Sequence, residues 1–595
     1  MNKELTEIIM GFRKTLKLMH RPEKLMLTLA SFLMLITGIL TNLPAVILGK
    51  LVDKLVGDAH VQFSYAVPYI GLIVIVILIR EVLTVIRKYF VENIATQTEK
   101  KQTVNVIEHL LKTDIAVINS QQIGSLHGKT FRSIQGLVSI IKLSFLDFFP
   151  VFFSALAAIV IALTQKPLLA SVMILVVPTG LFIIIKQVSS QKGIRVALLR
   201  SKEKIDGAVV EMLGGLETVR VANTTDQEVG RIEQIAEEIR KKEIRHHISM
   251  ALFDSAKYLN EGFFYILVIS LSILFSAQGI ISRGDILVYS ILFLSITGPL
   301  REIHRILDEA HESSIRVNDL YDLLEQPNDE SFKTMQNEKQ ANTTAKHVID
   351  VKNLSFSYSG RSDQVLDKIN LSIKKGEKIG IVGASGCGKS TLIKILLRLT
   401  HGYSGDISLF GINLNNISRE EIAEKIAYVP QKTYIFSGSI HENIVYGSLR
   451  KNITREEIVT AAKMAHVYGE IMTSLGGFNG VVTENGNNLS GGQKQRLAIA
   501  RLILKSPELF IFDEATSALD NTNEMLVQKS IEQLFKERTT ITVAHRLTTL
   551  KNADRILVFD KGKIVQEGTF DKLSNEKGLF QDFLKQKKPE ANSKK

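Results

Sequence analysis

The chain has 595 residues, of which 45% are hydrophobic and 23% charged, and it carries a formal net charge of +12. Such a length admits more than one domain, and the single cysteine, Cys387, excludes a disulfide within the chain. The excess of Lys and Arg lies in loops between apolar segments and forms no basic stripe interleaved with aromatics, so nucleic acid is not an expected partner.

Up to about residue 305 the sequence is a succession of apolar runs, each long enough for a membrane-spanning helix of roughly 20 residues. Six are expected, near 25–48, 65–86, 143–164, 167–186, 260–278 and 285–305. Prolines 44, 68, 150, 178 and 299 sit in or near them; membrane bundles tolerate such prolines because neighbours satisfy the freed backbone groups. The connections after the first, third and fifth spans are short, whereas 87–142 and 187–259 are long, polar and helical in period. Both long loops are basic, through Arg87, Lys88, Lys100, Lys101, Lys112 and Arg132 in one and Lys192, Arg195, Arg200, Lys202, Lys204 and Arg220 in the other. Basic loops stay cytoplasmic, which puts both termini and both loops inside the cell. The first span is too long for a cleavable signal and lacks a small-residue cleavage site, so it is expected to remain as an anchor. Asp147 and Glu261, near the ends of the third and fifth spans, either line a pathway or lie beyond the bilayer.

Residues 1–309 are therefore expected to form the membrane domain. Residues 310–347, with Gln326-Pro-Asn-Asp-Glu330, read as a linker, 348–585 as a second domain and 586–595 as a disordered tail.

The second domain carries the chemistry. Ile379–Val382 reads as a short apolar strand, followed by Gly383-Ala-Ser-Gly-Cys-Gly-Lys-Ser390 and Thr391. In such a phosphate-binding loop Gly383, Ser385, Gly386, Cys387 and Gly388 let backbone N–H groups close around phosphates. Lys389 then reaches the β- and γ-phosphates and Ser390 ligates Mg²⁺. The amino end of the following helix adds its dipole. Leu509-Phe-Ile-Phe-Asp513 reads as a buried strand that delivers Asp513 to the metal, directly or through water, with Glu514 at its tip as general base for an attacking water. Between them, Leu489-Ser-Gly-Gly-Gln493 opens another helix, and Ser490, Gly491, Gly492 and Gln493 offer a second anion site.

That order of motifs resembles the ATP-binding-cassette (ABC) family over essentially the whole second domain. The resemblance implies a fold of six transmembrane helices followed by an α/β P-loop ATPase, using ATP and Mg²⁺. It further implies that Tyr358 stacks on adenine, Gln431 senses the metal, Asp520 lies in the loop Ser517-Ala-Leu-Asp520 and His545 contacts the γ-phosphate. In this family two cassettes pair head to tail, so one chain with one cassette works as a dimer, and the intact motifs here favour a homodimer.

Membrane domain first and cassette second resembles the bacterial half-size exporters of multidrug and peptide type, in the cytoplasmic membrane. Gln122-Ile-Gly124 and Glu211–Arg220 resemble stretches beside their two coupling helices. Glu484-Asn-Gly-Asn-Asn488 resembles the peptide and bacteriocin exporters, which makes a leaderless hydrophobic peptide the expected cargo. A multidrug exporter or lipid flippase is the alternative, and a soluble ABC ATPase the reading from another class. Cys387 inside the loop would make the ATPase sensitive to thiol reagents, with bound ATP protecting it.

Overall fold

The computed structural model describes residues 3–57, 63–119, 123–190, 194–332, 347–358, 363–448, 450, 452–513, 538–544 and 547–586. Contacts divide the chain into two units, one formed by Met1–Leu111 and Gln121–Gln326, the other by Lys112–Ser120 and Pro327–Lys595.

The first unit is helical: α1 (Lys3–Leu18), α2 (Arg21–Gly57), most of α3 (Val67–Lys112), α5 (Ile123–Lys142), α6 (Phe149–Gln165), α7 (Pro167–Ile174), α8 (Val176–Ser190), α9 (Ile194–Gly214), α10 (Leu216–Ala222), α11 (Thr225–Ala277) and α12 (Arg283–Leu324). The short α4 (Ile115–Asn119) belongs to the second unit. Among the described residues six helical stretches are long and apolar enough to cross a membrane: Arg21–Val56, Phe63–Lys112, Gly128–Gln165, Pro167–Gln187, Thr225–Ala277 and Arg283–Leu324. Each overlaps one of the expected spans, and all but the fifth, which ends one residue short of 278, contain it whole.

The prolines leave local marks. A π-helical turn at Leu143–Phe148 joins α5 to α6 just before Pro150, where the missing N–H and the ring disfavour a regular α-turn. The break between α7 and α8 falls at Leu175, and Pro178 has no N–H to offer the carbonyl of Ile174. Helices meet closely where side chains are small. A Cβ at Gly284 would lie 2.0 Å from the carbonyl oxygen of Gly49, and one at Gly38 would lie 2.9 Å from the backbone of Phe153. Such contacts replace hydrophobic burial as the packing force in lipid.

The polar composition after residue 309 does not end the last helix. α12 runs on to Leu324 with Val317, Leu320 and Leu323 buried. The expected linker thus begins later, because an apolar stripe at helical spacing persists beneath an otherwise polar sequence.

The second unit holds a six-stranded sheet of order β12-β11-β3-β10-β9-β6, built from β3 (Lys378–Gly383), β6 (Ile426–Val429), β9 (Leu509–Asp513), β10 (Thr539–Val543), β11 (Arg555–Asp560) and β12 (Lys563–Gly568). All neighbours are parallel except β12 on β11. A four-stranded antiparallel sheet joins β1 (His347–Phe356), β2 (Leu366–Lys374), β4 (Ser404–Leu409) and β5 (Ile412–Asn413) in the order β2-β1-β4-β5. Helix α13 (Lys389–Leu396) puts Leu392, Ile393, Ile395 and Leu396 into the same core as Ile379, Ile381, Leu509, Ile511 and Ile541. Every residue of β9 is buried, as expected of a central parallel strand covered on both faces. A further cluster packs Ile435, Ile440, Ile444, Ala461 and Ala462 against Leu497, Ile499 and Ala500 of a helix at Gly491–Lys505. The remaining elements are α14 (Arg419–Lys425), an antiparallel pair of β7 (Gly438–Ser439) and β8 (Val481–Val482), and the short helices Ile440–Val445, Arg455–Met464, Tyr468–Thr473, Phe570–Asn575 and Leu579–Gln586.

Candidate functional site

The sheet register decides what meets what. β10 lies between β3 and β9, and Val543 pairs with Ile381 on one side and Asp513 on the other. The carboxyl ends of these strands therefore lie side by side, the edge where parallel α/β sheets bind ligands. From that edge rise the phosphate loop and Asp513. The residue after Ala544 is His545, which lies outside the described residues, as do Glu514 and Asp520.

The loop runs from Gly383, the last residue of β3, to Lys389, the first of α13. Gly386 and Gly388 have φ of +82° and +106°, the region in which an L-residue pays for its Cβ. A Cβ at Gly388 would also lie 2.7 Å from the Val365 carbonyl oxygen, and one at Gly383 would lie 2.3 Å from that of Phe559 and 2.7 Å from Cys387 Sγ. These glycines are required from within the fold.

Lys389 is buried. Its Nζ donates to the carbonyl oxygens of Gly383 and Ala384, both at 2.9 Å, and lies 3.8 Å from Cys387 Sγ. The ammonium is thus held over the loop by neutral acceptors that an anion could replace. Ser385, Gly386 and Ser390 are exposed at the mouth, whereas Cys387 is buried at 5% exposure, so a thiol reagent reaches it only if the loop opens. Thr391 Oγ1 lies 3.1 Å from the Tyr358 hydroxyl. This ties the tyrosine, whose ring meets Phe356 edge-on at 4.9 Å, to the first turn of α13.

Asp513 is buried at the end of β9. Sequence reasoning missed its neighbour Tyr428 on β6. Burial, the charge of Asp513 and a hydrogen bond to it push the Tyr428 hydroxyl up to about 12. Only strand order could reveal this pair, since β6 precedes β9 by about a third of the domain yet lies beside it. Gln431, exposed, follows two residues after β6. Ser390, Gln431 and Asp513 offer oxygen donors only, a set that suits a hard cation such as Mg²⁺.

The second glycine-rich site opens α15, our label for the helix Gly491–Lys505. Ser490 is its N-cap, and the box is reciprocal. Gln493 N–H donates to Ser490 Oγ at 3.2 Å, and Ser490 N–H donates to Gln493 Oε1 at 2.9 Å. The Gln493 side chain is thereby committed to the cap. Gly491 is exposed, and among the described residues a Cβ there would meet nothing within 4 Å.

Residues 27–300 match the profile described as ABC transporter transmembrane region, and 366–517 the one described as ABC transporter. The ATP-dependent lipid A-core flippase of Pseudoalteromonas translucida is 30% identical over 546 residues, 90% of this chain and 91% of its own. The chain belongs to the ABC transporter family. A mitochondrial iron-sulfur clusters transporter of Neurospora crassa is 30% identical over 503 residues, covering 82% of this chain and 69% of that protein. The structure of a bacterial Atm1-family ABC exporter with ATP bound shares the fold at a TM-score of 0.80 and 24% identity, covering 95% of this chain and 99% of that one.

The transporter is thus a multi-pass membrane protein that couples ATP hydrolysis to export, and the reading as a soluble ABC ATPase is excluded by its membrane region. In that region Glu261 pairs with Arg301 and accepts a hydrogen bond from Thr297 at 2.7 Å, while Asp147 lies 3.3 Å from Arg305. Both acids therefore have arginine partners on α12.

Proposed function

We propose that the transporter works as a homodimer in the cytoplasmic membrane, with both termini inside, and exports a hydrophobic, lipid-like substrate by alternating access. What carries this reading is the contrast in the cassette between a phosphate loop closed by its own fold and an open Gly491 at the head of α15. Each ATP would lie between Lys389 of one subunit and Ser490 of the partner subunit. Lys389 exchanges its carbonyl partners for phosphate oxygens, Gly491 and Gly492 offer N–H groups to the γ-phosphate, and Tyr358 stacks on the base. Ser390, Asp513 and Gln431 would hold Mg²⁺, which neutralises charge developing on the phosphates. Glu514 polarises the attacking water, His545 holds the γ-phosphate, and Asp520 lies at the subunit boundary.

ATP binding must favour the outward-facing state by about 5 kcal/mol to invert a 1:99 population. A lipid-like substrate is supported by the flippase relative. The peptide expected from Glu484–Asn488 has no counterpart among the relatives described. ATPase activity of the purified chain in lipid nanodiscs, with Glu514→Gln as blank, tests the reading against lipids, dyes and hydrophobic peptides. Saturable stimulation by lipids supports it, stimulation by peptides alone restores the peptide cargo, and an inactive chain refutes the homodimer.

A further inference from the structure

The segment after α12 is knotted into the cassette unit at one buried carboxylate. Asp329 is 2% exposed. Its Oδ1 accepts hydrogen bonds from the backbone N–H of Ser331 at 2.8 Å and the Ser331 hydroxyl at 2.5 Å, and lies 3.0 Å from His401 Nε2. Its Oδ2 lies 3.4 Å from the guanidinium of Arg419. Burial alone would raise the Asp329 carboxyl, but the hydrogen bonds from His401 and Ser331 outweigh it and hold the group well below the usual carboxylate range, so it is ionised.

The backbone around the knot is stapled to the end of the first long loop's incoming helix. Asp329 N–H donates to the Lys112 carbonyl at 2.7 Å, Asp114 N–H to the Pro327 carbonyl at 3.3 Å, and Thr113 bridges Asn328. Helix α4 begins at the next residue, Ile115. On the other side, Arg419 carries the connection to the nucleotide site. Its guanidinium donates to the carbonyl oxygens of Leu397 and Arg398 at 2.9 and 2.8 Å. These carbonyls lie just past the end of α13, the helix that Lys389 opens. Arg419 is itself the first residue of α14, which runs straight into β6 and so toward Gln431.

We propose that Asp329 is a positioning residue that couples the nucleotide site to the first cytoplasmic loop, by locking α4 to the far ends of the two elements that carry Lys389 and Gln431. A movement of α13 or β6 when nucleotide binds is then passed through a hydrogen-bonded joint centred on a buried carboxylate, where water has little room to absorb a change in geometry. The proposal rests on the ATP-driven cycle given above.

Spatial intermediacy is not coupling, so the test measures response. Hydrogen exchange would be followed on the full-length transporter in nanodiscs, in a Glu514→Gln background, with and without MgATP. The parent is expected to show ATP protection of 383–391 together with an ATP-dependent change of about tenfold in exchange at 112–119. In Asp329→Asn the change at 112–119 is expected to fall below about twofold while protection of 383–391 persists, a split that simple destabilisation would not produce. Arg419→Lys keeps the charge but loses the fork to Leu397 and Arg398, and should give the same split should Asp329→Asn fail to fold. An unchanged ATP response at 112–119 in the variant that folds overturns the proposal. Absence of ATP protection at 383–391 in the parent would instead sink the nucleotide-site reading, and this proposal with it.

Discussion

The cassette contains two glycine-rich turns at helix amino ends, and they are glycine for opposite reasons. In the phosphate loop, Gly383 and Gly388 have no room for a Cβ because the chain's own carbonyls and side chains fill it, and Gly388 also has φ of +106°. At the head of α15, Gly491 faces open space among the described residues and needs no such exemption from within the chain. A glycine demanded by the fold can be justified by one chain, whereas an open one at the head of a helix leaves its N–H groups accessible to an anion from outside. In the proposed dimer that visitor is a phosphate held by the partner subunit.

Four experiments would break or sharpen this contrast. The largest effect is expected at the acid serving the shared site. Glu514→Gln should lower ATPase turnover by about 10²–10⁴-fold, the usual weight of a general base, while ATP binding measured by a fluorescent analogue is retained. Next come the two glycines. Gly388→Ala meets about 1–2 kcal/mol of backbone strain in addition to the collision with Val365, so it should lower the cassette's Tm and abolish ATP binding together. Gly491→Ala should leave Tm and ATP binding unchanged yet reduce turnover at least about tenfold, since in the proposed dimer a methyl there would meet the nucleotide held by the partner subunit. Parallel behaviour of the two variants, by calorimetry and turnover, would erase the distinction.

A smaller effect is expected from the cap. Ser490→Ala should cost about 1 kcal/mol of stability, and Gln493→Ala added to it should cost little more, because both remove the same reciprocal box. The smallest effect concerns Tyr428. Its hydroxyl is raised from 10.0 to about 12 in the folded protein, so the folded state favours the neutral phenol. The stability this contributes is complete below pH 10 and is lost as the pH rises toward 12. Tyr428→Phe should flatten that part of a denaturation profile, and an unchanged alkaline slope would show that neither burial nor the Asp513 contact raises the hydroxyl.

Much of the molecule was legible because its signals are local. Unbroken apolar runs such as Tyr69–Ile79 need no partner to be recognised, since a span is a property of length and composition. The residues from Gly383 to Ser390 form one turn, so their spacing in sequence is their spacing in space. Where polar residues overlay an apolar stripe, as in α12 beyond residue 309, composition misled and periodicity would have served better. The cargo was least legible. Glu484–Gly486 forms a short turn ahead of Ser490 in the cassette, and a turn of that kind does not identify a cargo.

The sequence by itself determined that this chain crosses a membrane and carries an ATP-driven cassette, because spans and loop motifs are written in contiguous residues. Only the tertiary structure decided which distant residues act together. Strand order set Tyr428 beside Asp513, and folding brought Asp329 against His401, Arg419 and the backbone of Lys112. Those pairings depend on topology, and burial then makes each of them matter, because a desolvated polar group must find its partner within the protein.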